Sequence, residues 1–329
     1  MASPALPGAA LGAADHRSLE QAADWYVRLH DDAADSADWQ QWRAWLDRSP
    51  RHQAAWGYIE SVSQRFAPLR AGEPRAASAG LQAALAPPRR RHLRTLALLS
   101  GGLLGGWLAW RHTPLRDELL ALAADYRSAV GQVREWRLAD GSALWLNTGS
   151  AVDFDDGPAE RRLTLLRGEI LVNAIDAARP FVVATPHGRL RTRAARFNLR
   201  LLADAARLAV FEGTVDIRSA ARGDTLALSA GGQVSFSADG IGRPDLADPG
   251  AGAWTRGMLV ANDMRLADLV AELARYRHGH LGVAPEVADL RVMGTYPLAD
   301  ADRTLQLLAR ALSLRVEQKL PWWTTLAPA

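Results

Sequence analysis

The residues of this chain with the strongest chemical character are five tryptophans near the start: Trp25, Trp39, Trp42, Trp45 and Trp56. Indoles dominate the energetics of protein–protein contacts, so the chemistry they offer is recognition of another protein. Most of the five are expected in the core, but a helical segment of this size cannot easily bury them all. Other constellations are incomplete. His278 and His280 share a strand face if extended, but no third metal ligand accompanies them, which makes them surface histidines. Asp31, Asp32, Asp35 and Asp38 lack the central glycine and terminal glutamate of a calcium loop, and read as turn and capping carboxylates. Gly101-Gly102 and Gly105-Gly106 lack the Gly-Lys-Ser/Thr of a phosphate loop. No serine sits in a nucleophile elbow. The absence of cysteine excludes disulfides, cysteine-ligated zinc and a thiol nucleophile. These features point away from an enzyme, and no cofactor is implied.

The elements that would position the tryptophans are short helices. Residues 1–15 are rich in Ala, Gly and Pro and read as disordered. A helical domain is expected over 16–66. Its first helix, near Arg17–His30, puts Leu19, Ala22, Ala23, Tyr26 and Leu29 on one face. The second starts at a Ser36 cap and aligns Trp39, Trp42 and Leu46, which leaves Trp45 off the stripe as the expected partner-facing anchor. The third starts at Ser49-Pro50 and aligns Ala55, Trp56, Ile59, Val62 and Phe66. Residues 67–92 form a Pro/Ala linker.

A net charge of +3 with a single lysine, Lys319, leaves one basic cluster, Arg89–Arg94. It abuts Thr95–Trp110, sixteen residues without a charge, so it reads as a membrane anchor rather than a nucleic-acid site. The span is expected over 93–112. It is slightly short against the ~20 residues a bilayer needs, a deficit that Arg94 and Arg111 offset by snorkelling. Trp107 and Trp110 suit the far interface. The arginine bias places residues 1–94 in the cytoplasm of a single-pass inner-membrane protein. Arg89, Arg90 and Arg94 fit either a twin-arginine export signal or a plain charged anchor. Gly101, Gly102, Gly105 and Gly106 form overlapping small-xxx-small pairs, suited to helix dimerisation or to unwinding for an intramembrane protease.

After a linker at 113–124 the pattern switches to period two. An all-β domain is expected over 125–240, with a hairpin at Asp140-Gly141 and further strand–turn–strand units at 163–172, 181–192, 208–217 and 226–236. A Gly/Pro/Asp linker at 241–253 leads to an α+β unit, 254–329, that reads strand–helix–strand twice. The exposed edge of so small a sheet suits docking by strand addition, with Leu314 and Val316 offered there; Trp322 and Trp323 either join them or close the core. The fold class is therefore multidomain: small all-α, one membrane helix, all-β, then βαβ-βαβ.

Several stretches carry a resemblance. ADWYVRLHDD and WQQWRAWLDRSPRHQAAWGYIE resemble the N-terminal domain of FecR-type anti-sigma regulators, the ferric-citrate sensor family. VREWRLADGSALWLNTGSAVDF, RRLTLLRGEI, ARPFVVATPHGRLRTRAARFNLR and LAVFEGTVDI resemble that family's periplasmic domain. Residues 254–329 resemble the small signalling domain of secretins and TonB-dependent transducers. The resemblance implies that the helical domain binds an extracytoplasmic-function sigma factor. It also implies that a TonB-dependent outer-membrane transducer engages the C-terminal region, in iron-carrier uptake, and that periplasmic and intramembrane proteases pass the message on. Direct contact with nucleic acid is not implied. Some family members self-cleave through a threonine after glycine; Ala194-Ala195 here lacks that hydroxyl, so self-cleavage by this route is not expected. The alternative reading is a membrane-anchored periplasmic scaffold or envelope-binding protein.

Overall fold

A computed structural model describes residues 16–30, 35–70, 121 and 123–329. The chain divides into two compact units, residues 1–118 and 119–329. The span expected at 93–112, with Arg89, Arg90, Arg94, Gly101, Gly102, Gly105 and Gly106, lies outside the described residues, as do residues 1–15, 71–92 and most of 113–124. Among the described residues no helix is long and apolar enough to cross a membrane.

The first unit holds α1 (His16–Leu29), α2 (Ser36–Leu46) and α3 (Pro50–Arg70). The cap of α2 is Asp35, one residue earlier than expected. Its carboxylate accepts from the amides of Ala37 and Asp38, while Asp38 reaches back to the Asp35 amide in a capping box. Ser49 caps α3 by accepting from the Arg51 amide. α3 passes through Pro68 and ends at Arg70, beyond the boundary expected at residue 66. Leu19, Ala22, Ala23, Tyr26 and Leu29 of α1 pack with Ala55, Trp56, Ile59 and Val62 of α3 as the periodicity predicted.

The second unit opens with fourteen strands in two leaves that share one long strand, β10 (Ala206–Ser219). The first leaf runs β1 (Tyr126–Arg127), β4 (Ala151–Asp156), β5 (Arg161–Arg167), β7 (Phe181–Thr185), β8 (Gly188–Thr192), β10 and β11 (Thr225–Ser229). The second runs β2 (Arg134–Arg137), β3 (Ala143–Leu146), β6 (Glu169–Ala174), β9 (Ala195–Leu201), β10 and β12 (Gly232–Ser237), with the short β13 (Gly240–Ile241) and β14 (Asp245–Leu246) on β12. Alternate residues of both leaves, among them Leu144, Leu163, Ile170, Phe181, Phe197 and Val215, meet in one apolar core.

Two expected hairpins hold: β2–β3 across Asp140-Gly141, and β7–β8. Three others do not. β5 and β6 never pair; at Gly168 the chain leaves one leaf for the other. Gly168 has φ +89°, and an added Cβ would lie 2.2 Å from Ser150 Oγ, so only glycine fits that crossing. Residues 208–217 are part of one strand, not a hairpin. A bulge between Val210 and Glu212 bends β10 from the second leaf into the first, and Gly213 presses on the Ala194 carbonyl where a Cβ would be 2.4 Å away. β11 and β12 likewise both pair with β10 rather than with each other.

The C-terminal part holds β15 (Met258–Arg265), α4 (Leu266–Ala274), β16 (His280–Val283), β17 (Arg291–Pro297), α5 (Ala301–Ala311), β18 (Leu314–Leu320) and β19 (Trp323–Pro328). Both strand–helix–strand units are present. β15 and β17 form an antiparallel ribbon, and β16-β19-β18 a three-stranded sheet in which the last strand, not expected from the sequence, is central. Residues 241–253 do not act as a free linker. β14 pairs with β12, and Gly252 sits against Leu171 and Phe211. The outer face of the second leaf (Trp145, Leu171, Phe211) shares an apolar cluster with Trp254, Leu259 and Met264 of the C-terminal part.

Candidate functional site

The five tryptophans are divided between inside and outside, and the division differs from the one expected. Trp45 is buried, donates its indole N–H to Gln21 Oε1 at 3.0 Å and stacks on His52 at 4.4 Å between ring centres. It ties α2 to both neighbours and cannot face a partner. Tryptophans spaced by three residues step backward around a helix by about 60° each, so two faces of α2 fit the periodicity equally. The Gln21 acceptor and the His52 ring select the face that carries Trp45. Trp56 is buried as well, 4.9 Å from Trp42. Trp39 is 42% exposed and meets the edge of the half-buried Trp42 at 5.5 Å. Trp25 is half-buried beneath Arg28, whose guanidinium lies 5.0 Å above its ring and 4.0 Å from Asp38. Trp39 and Trp42 thus form an aromatic pair with one exposed indole on α2, and Arg28 links Trp25 to Asp38 in the first turn of that helix.

At the other end of the chain, β18 is an edge strand, paired only with β19 among the described residues. It presents Val316, 40% exposed, and the half-buried Leu314. Trp322 and Trp323 are enclosed rather than offered: both are fully buried, and Trp323 stacks on the buried His280 at 3.6 Å. Of the two roles open to them, docking edge or core, they take the core, because β19, which starts at Trp323, is the central strand. His278 precedes β16 and is exposed, so the two histidines do not share a strand face. Among the described residues no group of His, Asp or Glu has the makings of a metal site.

A third cluster was missed by the sequence reading. It joins the β leaves to the C-terminal part. Glu169, at the start of β6, is 5% exposed and accepts from Asn147 Nδ2 at 2.8 Å, Asn198 Nδ2 at 3.0 Å and Arg275 Nη2 at 2.7 Å. Arg275 also pairs with Glu272 at 2.8 Å, and Glu272 is held by Arg200 of β9. Tyr276 donates to Asn147 Oδ1 at 2.6 Å, and the Trp254 indole donates to Asn198 Oδ1 at 3.0 Å. Thr148 Oγ1 donates to the Arg275 carbonyl and accepts from the Gly131 amide. Burial opposes the charge on Glu272, but Arg200 and Arg275 outweigh it and hold the carboxyl below the usual range. Burial also opposes the charge on Arg275, yet Glu169 and Glu272 push its pKa up. The Tyr276 phenol is raised by burial. A polar cavity of about 160 Å³ lies within this joint. Its only sequence signals were isolated polar residues in or next to strands (Asn147, Glu169, Asn198), which gain meaning once a partner is known.

Residues 124–216 match the family model "FecR protein", and residues 20–62 match that of a domain of unknown function, DUF4880. No curated protein matches the chain. Two crystal structures of a "putative anti-sigma factor" from Parabacteroides distasonis ATCC 8503 share the fold, each with a TM-score of 0.52, at 18% and 19% identity, covering 62% of this chain and 98% of that one. At this identity the likeness concerns the fold. The two segments that carried the resemblance are thus the ones that match: residues 124–216 the FecR model and residues 20–62 the DUF4880 model.

Proposed function

We propose that the chain regulates an extracytoplasmic-function sigma factor, which residues 16–70 hold in the cytoplasm. A single membrane span at 93–112 joins this domain to a periplasmic part, residues 119–329. There the edge strand β18, with Leu314 and Val316, receives a TonB-dependent outer-membrane transducer carrying an iron-carrier signal. Proteolysis or rearrangement then frees or activates the sigma factor. Ala194-Ala195 leaves cleavage to other proteases.

The observation that carries this reading is Trp39. A domain that buries Trp45 and Trp56 leaves this indole 42% exposed, in contact with Trp42. An exposed aromatic beside other aromatics is what a protein-binding hot spot requires. The test is co-purification of the full-length chain with each sigma factor of its source cell, wild type beside Trp39→Ala. Capture of one sigma factor, lost with Trp39→Ala, supports the reading. A folded chain that captures none leaves the membrane-anchored periplasmic scaffold as the better description.

A further inference from the structure

The outer face of the first β leaf carries a charge arrangement that the fold does not need. In the register of β8 and β10, Arg189 lies directly opposite Arg218, and Arg191 opposite Asp216. Like charges placed directly across an antiparallel pair are destabilising. Both Arg189 and Arg218 are exposed, and they border two adjoining concavities of about 610 and 590 Å³. The first is lined by the apolar Pro180 and Leu226, by Arg189, Arg191 and Arg218, and by two carboxylates, Glu160 and Asp216. Val182 is 1% exposed although it points away from the sandwich core. The second is bordered by Arg162, Arg189, Arg218 and Arg222 and has no acidic residue in its lining.

One carboxylate of the chain already sits on this face. Glu160, from the turn before β5, accepts at 2.8 Å from Arg162 Nε and also takes a hydrogen bond from Arg189. Its hydrogen bond to Arg162, with the charges of both arginines, holds its pKa below the usual range. The neighbouring Arg191 and Arg218 form no ion pair with any described residue, and Asp216 forms none either.

We propose that this face, centred on Arg189, Arg191 and Arg218, is a docking surface for an extended acidic peptide segment of a protein partner. Carboxylate side chains would take the place beside Arg191 and Arg218 that Glu160 takes beside Arg162 and Arg189. Small apolar side chains would rest on the half-buried Pro180 and Leu226. The lining of the two concavities contains no aromatic ring. A sugar or a base would therefore find no stacking platform, and a peptide is favoured over an anionic glycan or a nucleic acid.

The experiment uses the full-length chain in non-ionic detergent and a fluorescein-labelled decaglutamate peptide as probe, in low salt. Fluorescence anisotropy should show saturable binding that weakens at least tenfold in Arg191→Ala/Arg218→Thr and is unchanged in Arg243→Ala, an exposed arginine elsewhere. The melting temperature of Arg218→Thr alone should be equal to or above that of the wild type, because a like-charge pair is removed. Five results would overturn the proposal. Four are no binding, equal binding by the double variant, equal competition by polygalacturonate (a mere polyanion exchanger), or a salt-sensitive dimer formed without peptide, which would give the face to a second copy. A lower melting temperature for Arg218→Thr would make Arg218 a structural residue and count equally against it.

Discussion

Replacing Arg275 by methionine tests whether the β leaves and the C-terminal part communicate through the polar joint. Methionine keeps the aliphatic stem and deletes the charge. Glu169 would remain 5% exposed with only the amides of Asn147 and Asn198, and Glu272 would keep only Arg200. Removing one partner of a buried ion pair costs about 3–5 kcal/mol. Two amide donors survive at Glu169, and the Arg275 side chain is itself 20% exposed, so the lower end applies, about 3 kcal/mol. That is roughly a hundredfold in the equilibrium for opening the joint. For a unit of this size it lowers the melting temperature by about 6–12 °C. The double variant Glu169→Gln/Arg275→Met removes both charges and should recover at least ~1 kcal/mol relative to the sum of the single variants. Calorimetry and hydrogen exchange at Asn147–Gly149 would read both quantities. A single variant that loses less than about 1 kcal/mol, or a double variant that is purely additive, would refute the reasoning. The joint would then be a packing contact, and a signal reaching the C-terminal part would have no electrostatic route to the leaves.

The same joint predicts a pH response. Glu272 is depressed in the folded state, so its contribution is present above the ordinary glutamate pKa of about 4.3 and is lost as pH falls through the lower folded value. Urea unfolding between pH 7 and 3 should show that loss, and Glu272→Gln should flatten it. Arg161 is wholly buried, paired with Asp140 at 2.9 Å, and donates to the carbonyls of Ile175, Arg179 and Arg193. Arg161→Met should cost about 3–5 kcal/mol in chemical denaturation, because it strands Asp140 and three loop carbonyls at once. In the helical unit, Trp45→Ala should cost about 3–5 kcal/mol by circular dichroism melting, whereas Trp39→Ala should stay within about 0.5 kcal/mol. Equal losses would contradict the inside–outside division of the tryptophans. Hydroxylamine treatment of the purified chain should leave residues 194–195 intact, since no ester-forming side chain is present there; a fragment boundary at that point would show otherwise.

Periodicity alone sufficed for elements whose neighbours are local. The stripes on α1 and α3, the amphipathic helices α4 and α5, and the hairpins at Asp140-Gly141 and β7–β8 are all legible because i, i+3, i+4 spacing or a tight turn encodes them directly. Continuous stretches of sequence carried the FecR resemblance over the two segments that match. Long-range choices were not legible. The pattern at Gly168 and Gly213 reads equally as a hairpin turn or a sheet crossing; the Ser150 and Ala194 backbones that crowd those glycines decide for the crossing and the bulge. Trp39 and Trp45 are interchangeable by spacing, and Gln21 and His52 separate them. Trp322 and Trp323 fitted a docking edge or the core, and β19, inserted between β16 and β18, decides for the core. The joint depends on residues as far apart as Asn147 and Tyr276. A buried carboxylate such as Glu169 is tolerable only when tertiary structure delivers its donors, so sequence determined which polar residues lie within the strands, and the packing of the two parts decided what they do.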